Sequence, residues 1–506
     1  MTAGPGERPD STGPEQTITR NTFAALAVQL TTAAFTAILT LYMVRALGPT
    51  GYGVFALAVG MGSLLLLPSD FGISPSTARF VADHRGDHAA IVALVNQACK
   101  LKFAVALVVC GGLFALAGPI AFAYDNPALV WPLRGVALAL LGQNLMLLFN
   151  GTFVALRRVS VNLRVVFSEA AMETVASFGL IMLGGGAAGA AFGRAIGFLF
   201  GGLIAVVVAA HILGWPILRI RGQSSGQLRQ LVTYASALLV VDGAFTLFKQ
   251  VDVLLIGLFL GSTAVGLFEA PLRFLTFLHY PGNAVASGVA PRVVKSSAGA
   301  AETKTFSTTL RYLVIFQAAL VPPVIVWAEP IVGLLLGPEY EESADVLRAL
   351  GPYVFLQGIA PLVSLAVNYL GEARRRIPIA IVTVLLNLGI DVVLIPRVGI
   401  VGGAIGTDVA YALYVPAHLW ICKRLLGLEL RPVALAFVRS ALAAGTMAAV
   451  LALFGTDSLS PLDWIGGLIA GPLAFGLVLV VTREISREEL VLGWSTVRKR
   501  SGGSSA

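Results

Sequence analysis

An internal repeat limits what this chain can be. The stretch LYMVRALGPTGYGVF (41–55) is answered by VLLIGLFLGSTAVGLF (253–268), and Gly48, Gly53 and Phe55 recur 213 positions later as Gly261, Gly266 and Phe268. In both copies a long apolar run stops at a glycine-bounded turn and a second apolar run begins at once. That is a helical hairpin with a loop too short to hold a domain. Downstream, Gly189-Ala-Ala-Phe-Gly193 is echoed by Gly402-Gly-Ala-Ile-Gly406, and Ala117-Gly118-Pro119 by Ala328-Glu329-Pro330. A sustained period of roughly 210 residues means two homologous halves and a remainder.

The apolar runs set the solvent. The chain is 57% hydrophobic and only 12% charged, against roughly 25% charged residues in soluble domains. Its runs of about twenty apolar residues are each long enough to cross a ~30 Å hydrocarbon core as a helix. The reading is an all-α polytopic membrane protein. Cys99, Cys110 and Cys422 are scattered, with no disulfide or metal spacing. The first apolar run is too long for a signal-peptide core and is read as an uncleaved span.

Fourteen spans are expected, at about 22–45, 52–70, 99–120, 131–154, 163–184, 187–213, 230–260, 264–290, 309–336, 346–370, 377–395, 400–421, 433–454 and 463–482. They divide into a disordered cytoplasmic N-terminus (1–20), an N-lobe (21–213), a cytoplasmic connector (214–229), a C-lobe (230–425), two extra helices (426–482) and a cytoplasmic tail (483–506). Six spans per half put both halves in the same orientation, so the lobes are parallel repeats. The 35 Lys and Arg test the count. With both termini cytoplasmic, Arg157 and Arg158, Arg374–Arg376, Lys423 and Arg424 fall on the inner face, while the outer face holds only Arg45, Arg134, Arg348 and Arg397. This is the positive-inside bias of a protein in the cytoplasmic membrane. The net charge of +8 is then topology and requires no nucleic acid.

The segments NTFAALAVQL, RALGPTGYGVFALA, SDFGIS and KQVDVLLIGLFLGSTAVGLFEA resemble the polysaccharide-transporter, or O-antigen flippase, family of the multidrug/oligosaccharidyl-lipid/polysaccharide exporter superfamily, over about residues 20–425. The resemblance implies two six-helix lobes facing each other across a central cavity. It implies translocation of a polyprenyl-(pyro)phosphate-linked oligosaccharide by alternating access, with no cofactor and no enzymatic step. The implied partners are that lipid-linked oligosaccharide, membrane lipids, and the polymerase and glycosyltransferases of the same glycan.

Ionisable residues inside spans are costly in lipid and normally face protein or water. Arg273, ~14 Å into its span, and Arg194, ~10 Å into its own, are candidate contacts to a pyrophosphate, with Lys249 a third. Each has a structural alternative: Glu269 precedes Arg273 by four residues, and Lys249 precedes Asp252 by three, so both could be pairs within one helix. Arg439, in a peripheral span, suits packing or a lipid headgroup. Candidates for ion coupling are Glu169 and Glu173, one helical turn apart, and Asp242, with Asp391 and Asp408 beside them; hydrogen-bonded structural carboxylates are the alternative. Gly185, Gly189, Gly193, Gly197 and Gly201 form a four-residue stripe along which a neighbouring helix can approach closely. Arg194, turned about 100° from Gly193, is expected to project into open space beside that contact. Pro281, Pro322, Pro323, Pro361 and Pro416 are expected kinks.

Other motifs carry no chemistry. His84 and His88 are four apart but flank Gly86 in the polar stretch DHRGDH, a solvated loop and no metal site. Gly48–Gly53 superficially resembles a phosphate loop, yet its flanks are membrane spans. A drug or cation antiporter of the same superfamily is the alternative function, although Asn21–Val44 contains no carboxylate. A membrane glycosyltransferase or polymerase would need an acidic catalytic loop, and the largest outer cluster, Glu339–Asp345, has no histidine nearby.

Overall fold

The computed structural model describes residues 14–218, 243, 246–293 and 300–485, and the regular elements among them are all helical. In chain order the helices are α1 (Pro14–Asp70), α2 (Ile73–Asp83), α3 (His88–Ala123), α4 (Val130–Ala155), α5 (Val159–Leu180), α6 (Gly186–Leu213), α7 (246–260), α8 (Ser262–Leu275) and α9 (Tyr280–Val289). Then follow α10 (Ala300–Val326), α11 (Ala328–Leu335), α12 (Ser343–Ala349), α13 (Gly351–Tyr369), α14 (Arg376–Val398), α15 (Ile400–Leu426), α16 (Leu430–Leu453) and α17 (Pro461–Val481).

Ten stretches among the described residues are long and apolar enough to cross a membrane. Two of them are double. Ala34–Asp70 breaks at Gly48, and Val159–Leu213 breaks where Ile181–Gly185 forms a π-helical turn ahead of Gly186. The helix 246–260 and the interrupted run of α8 and α9 lie where the other two expected spans fall. The protein is a multi-pass membrane protein.

The breaks repeat with the sequence. Gly48 has φ 63° and ψ 178°, and Gly261 has φ 86° and ψ 179°, a region that essentially only glycine occupies. Gly186 (φ 52°, ψ −140°) and Gly399 (φ 77°, ψ −151°) form a second such pair, again 213 apart, each opening the closing helix of its half. The repeat in letters is therefore a repeat in backbone.

Two compact units result, one drawn from Met1–Met43 and Gly62–Leu239, the other from Val44–Met61 and Val240–Ala506. The first hairpin turn belongs to the second unit, unlike the division expected at 213. Its physical reason is local. A Cβ on Gly53 would run into the Ser262 carbonyl, and one on Gly266 into the Pro49 carbonyl, so the two repeated turns pack backbone to backbone. Thr50 and Thr263 join them through a 2.8 Å hydroxyl contact.

In the first unit, the glycine stripe of α6 lies on α5 as expected: Gly193, Gly197 and Gly201 meet Ser177, Glu173 and Glu169 in turn. Without a hydrophobic drive between helices in lipid, such close approach is what holds them. The end of α1 is fixed by Lys102, fully buried against Asp70, with its Nζ 2.5 Å from the Ser74 hydroxyl. In the second unit, Trp327, Leu451 and Phe475 pack α16 and α17 onto α10. Glu484 clamps the same helices by bridging Arg311 (2.6 Å) and Arg439 (2.8 Å), which gives Arg439 the packing role anticipated for it.

Some boundaries differ from expectation. Helix α1 begins at Pro14, inside the stretch expected to be disordered, and α3 begins at His88, a full three turns before the predicted 99. The charged first turns are helical because Asp87 caps them, accepting from Ala90 N at 3.0 Å. Pro281 opens α9 and does not kink a helix, whereas Pro322, Pro323, Pro361 and Pro416 do lie within helices.

Candidate functional site

A cavity of about 540 Å³ lies wholly within the second unit. Helix α7 brings Lys249 and Gln250 to it, α8 brings Arg273, the turn after α8 brings Thr276, and α9 brings Asn283. Helix α13 adds Tyr353 and Gln357, α15 adds Tyr411 and Tyr414, and the start of α14 adds Arg376. His279, between α8 and α9, completes the polar wall.

The cations are held, each in its own way. Arg273 Nε is 2.8 Å from Glu269 Oε1, one turn back on α8. Its side chain still keeps 41% of its surface exposed. Arg376 is fixed without a carboxylate: it donates to Asn368 Oδ1 (2.8 Å), the Tyr414 hydroxyl (3.2 Å) and His418 Nε2 (3.4 Å). That last bond leaves the His418 proton on Nδ1, which sits 2.8 Å from the Tyr414 carbonyl. The tyrosines form a wall, Tyr353 and Tyr411 edge to face at 4.9 Å and Tyr411 and Tyr414 at 6.1 Å. Guanidinium groups suit phosphate oxygens. Aromatic faces with amides and hydroxyls suit a ligand that is partly apolar and rich in hydrogen-bonding groups, as a sugar is.

Beside it α7, α14 and α15 enclose a polar cluster. The Thr407 hydroxyl donates to Asp252, and Asn387 Nδ2 donates to Asp391 Oδ2 at 3.1 Å. The Asp391 carboxyl lies against Gly406, the neighbour of Thr407. All four residues are buried, and Asp252 Oδ1, Asn387 Oδ1 and Asp391 Oδ1 have no protein partner. An oxygen-only set with three orphaned acceptors fits a hard cation or a proton. No group of three or more His, Cys, Asp or Glu able to hold a metal ion occurs among the described residues.

The remaining candidates lie elsewhere. Arg194 does not project into open space; it pairs with Glu173 across the α5–α6 seam at 2.8 Å and lies over the Phe198 ring. Glu169, one turn away, is buried with Oε1 unpartnered. The first unit thus gathers Arg194, Glu173 and Glu169, and the second gathers Arg273 and Lys249. Asp242 lies outside the described residues. Asp408 accepts the Tyr353 backbone N–H at 2.8 Å, a structural bond.

Sequence reasoning missed Arg376, counted there as one of three loop arginines, and the pairing of Asp252 with Asn387, Asp391 and Thr407. The i,i+4 spacing of Asn387 and Asp391 was a usable signal. So was the run Tyr411, Tyr414 and His418, which places three polar rings on one face of α15.

Residues 18–296, more than half of the chain, match the model of the family described as polysaccharide biosynthesis protein, and residues 237–393 match the MatE model. A curated relative, the probable low-salt glycan biosynthesis flippase Agl15 of Haloferax volcanii, is 23% identical over 282 residues, covering 54% of this chain and 59% of that protein. The chain thus matches about three fifths of the relative's length. Among solved structures, the inward closed conformation of the lipid II flippase MurJ is similar with a TM-score of 0.73 at 13% identity, over 91% of this chain and 99% of that one. An inward-facing multidrug resistance MATE transporter is similar with a TM-score of 0.60 at 14% identity, over 79% and 96%. At these identities the likeness is one of fold. The fold, the repeat and the family match agree: the chain belongs to the polysaccharide biosynthesis protein family.

Proposed function

We propose that this protein is a flippase that moves a polyprenyl-(pyro)phosphate-linked oligosaccharide across the cytoplasmic membrane for polysaccharide biosynthesis. The headgroup of such a lipid is anionic and heavily hydroxylated, so it needs a shielded polar route through ~30 Å of hydrocarbon. Its tail needs none and stays in lipid. The observation that carries the reading is the cavity in which Lys249, Arg273 and Arg376 meet a wall of tyrosines and amides inside a membrane-spanning unit. Lys249 and Arg273 are the substrate contacts proposed from it, with Arg376 added. Arg194 is reassigned from substrate to the Glu169–Glu173 seam, where it is a candidate for ion coupling. The substrate leaves chemically unchanged. The repeat-related lobes alternate access, with both termini on the cytoplasmic side, as the distribution of arginine supports. Family membership and the flippases among its relatives support the same reading over drug or cation antiport.

An ion gradient is one way to drive movement in one direction. Asp252, Asn387, Asp391 and Thr407 would hold the ion, a proton or a sodium-sized cation supplying the positive charge that the two buried carboxyls lack. The reading is tested in vesicles containing the purified protein and a lipid-diphosphate oligosaccharide. A membrane-impermeant glycosidase added outside should digest the inner-leaflet share only when the protein is present. A protected inner-leaflet pool that persists with folded protein contradicts the proposal.

A further inference from the structure

Several arginines packed among the helices are neutralised by the chain itself. Arg194 pairs with Glu173, Arg273 with Glu269, Arg348 with Glu329, and Arg311 and Arg439 with Glu484. Arg134 on α4, in the first unit, has only aromatic partners among the described residues. Its guanidinium carbon lies 4.8 Å from the centre of the Trp131 ring and 5.2 Å from that of Phe114 on α3. Its Nε is buried and has no acceptor. Asp125, the nearest acid in the sequence, forms no ion pair with it. The position is a membrane edge. Arg134 lies ~32 Å along α4 from Ala155, at ~1.5 Å per residue. That is about one hydrocarbon thickness from the end that carries Arg157 and Arg158. Trp131 and Leu138, which share the Arg134 face of α4, are exposed large apolar side chains, and so is Phe114. In a membrane that face meets lipid.

We propose that Arg134, Trp131 and Phe114 form a binding site for the phosphate of a membrane phospholipid. None of the three lines the cavity, and the inference does not depend on the flippase reading. Ring faces attract a cation, yet they offer the N–H edge of the guanidinium no acceptor oxygen, and acyl chains offer none either. The counter-charge has to come from outside the chain. At the depth of Arg134 the membrane supplies it as lipid phosphate, and a guanidinium grips two phosphate oxygens through parallel bonds. The rings hold the planar fork in place beforehand, so little side-chain freedom is lost on binding. They also give the upper acyl chains an apolar surface at the boundary, where aromatic side chains are at home. Phe114 belongs to α3, and Trp131 reaches Phe192 on α6 at 6.5 Å. A bound headgroup therefore fastens three helices at that edge.

Two photoactivatable lipids with the same acyl chains test the site. One is phosphatidylglycerol and the other diacylglycerol, which lacks the phosphate. Each is added to the full chain in maltoside micelles, a detergent without phosphate, and the cross-links are mapped by peptide mass spectrometry. Phosphatidylglycerol should label the region around Phe114 and Trp131 about tenfold more than diacylglycerol, the effect of a charge-assisted bond. Arg134→Gln should bring that ratio to about one. Arg134→Lys should keep about threefold, because the charge remains and the fork does not. Thermal unfolding checks that both variants are folded, and if Arg134→Gln is not, the parent ratio and its fall in Arg134→Lys decide. Excess inorganic phosphate should leave the labelling in place, since a soluble anion lacks the chains that hold a lipid at this depth. Equal labelling by the two lipids in the parent, or a preference that survives in Arg134→Gln, would overturn the site. Displacement by inorganic phosphate would make it a site for soluble anions and overturn the lipid assignment.

Discussion

Arg273 carries the sharpest consequences at the scale of single residues. It is paired with the buried Glu269 and is exposed to the cavity, so removing it costs headgroup binding and also the ~3–5 kcal/mol of leaving a buried carboxylate uncompensated. Arg273→Ala should weaken binding of a polyprenyl diphosphate about a hundredfold, from two charge-assisted bonds of ~1.5 kcal/mol each. Arg273→Lys should lose about tenfold, because an ammonium cannot grip phosphate through two parallel bonds. Isothermal titration with the purified variants measures both, and unchanged affinity in Arg273→Ala would reduce the residue to the partner of Glu269. Asp391→Asn removes one of the two buried carboxyls of the polar cluster. It should leave headgroup binding as it is and uncouple transport from the ion gradient, seen as equal vesicle rates with and without a gradient. How far these roles were legible differs by residue. Arg273 and Lys249 stand out in sequence because a charge within an apolar run is costly wherever it points. Arg376 does not, because it sits in a basic loop and only the fold turns it onto the cavity. Arg194 was misjudged for the same reason: helix geometry gives its direction on α6 but not the carboxylate waiting on α5.

At the scale of elements, glycines decide where helices break and where they touch. Gly193 has the Ser177 backbone and side chain in the place a Cβ would take, while Gly112 on α3 has nothing within 4 Å. Gly193→Ala should therefore destabilise by ~1–3 kcal/mol through overpacking, and Gly112→Ala should be neutral or slightly stabilising. Thermal unfolding in detergent distinguishes them, and equal effects would dissolve the α5–α6 contact. Gly48→Ala and Gly261→Ala should each cost about 1–3 kcal/mol, because both positions use a backbone region closed to alanine. The repeat made these turns legible, since the same glycines recur at one offset. The stripe on α6 was legible too, from its four-residue spacing. The beginning of α3 was not, because hydropathy sees the apolar part of a helix and passes over charged turns that a cap makes helical.

For the whole molecule, the account requires fourteen crossings with both termini on one side. Cysteines placed at Arg158 and at Glu342 should react with an impermeant thiol reagent from opposite sides of the membrane, and labelling of both from one side would overturn the span count. The helical repeat was legible because a 213-residue offset is a long-range pattern that survives small errors at helix ends. The grouping of the first hairpin turn with the second unit was not, because it depends on backbone contacts between Gly53 and Gly266. The central claim is that the molecule carries a lipid-linked oligosaccharide from one leaflet to the other. The most direct measurement follows the leaflet distribution of that lipid in its native cell as the protein is depleted, using an impermeant sugar-specific label on intact and opened cells. The account predicts continued synthesis with the labelled glycan lipid accumulating where only opened cells reveal it, and clearance when the protein returns. An unchanged distribution between the leaflets throughout depletion would contradict it.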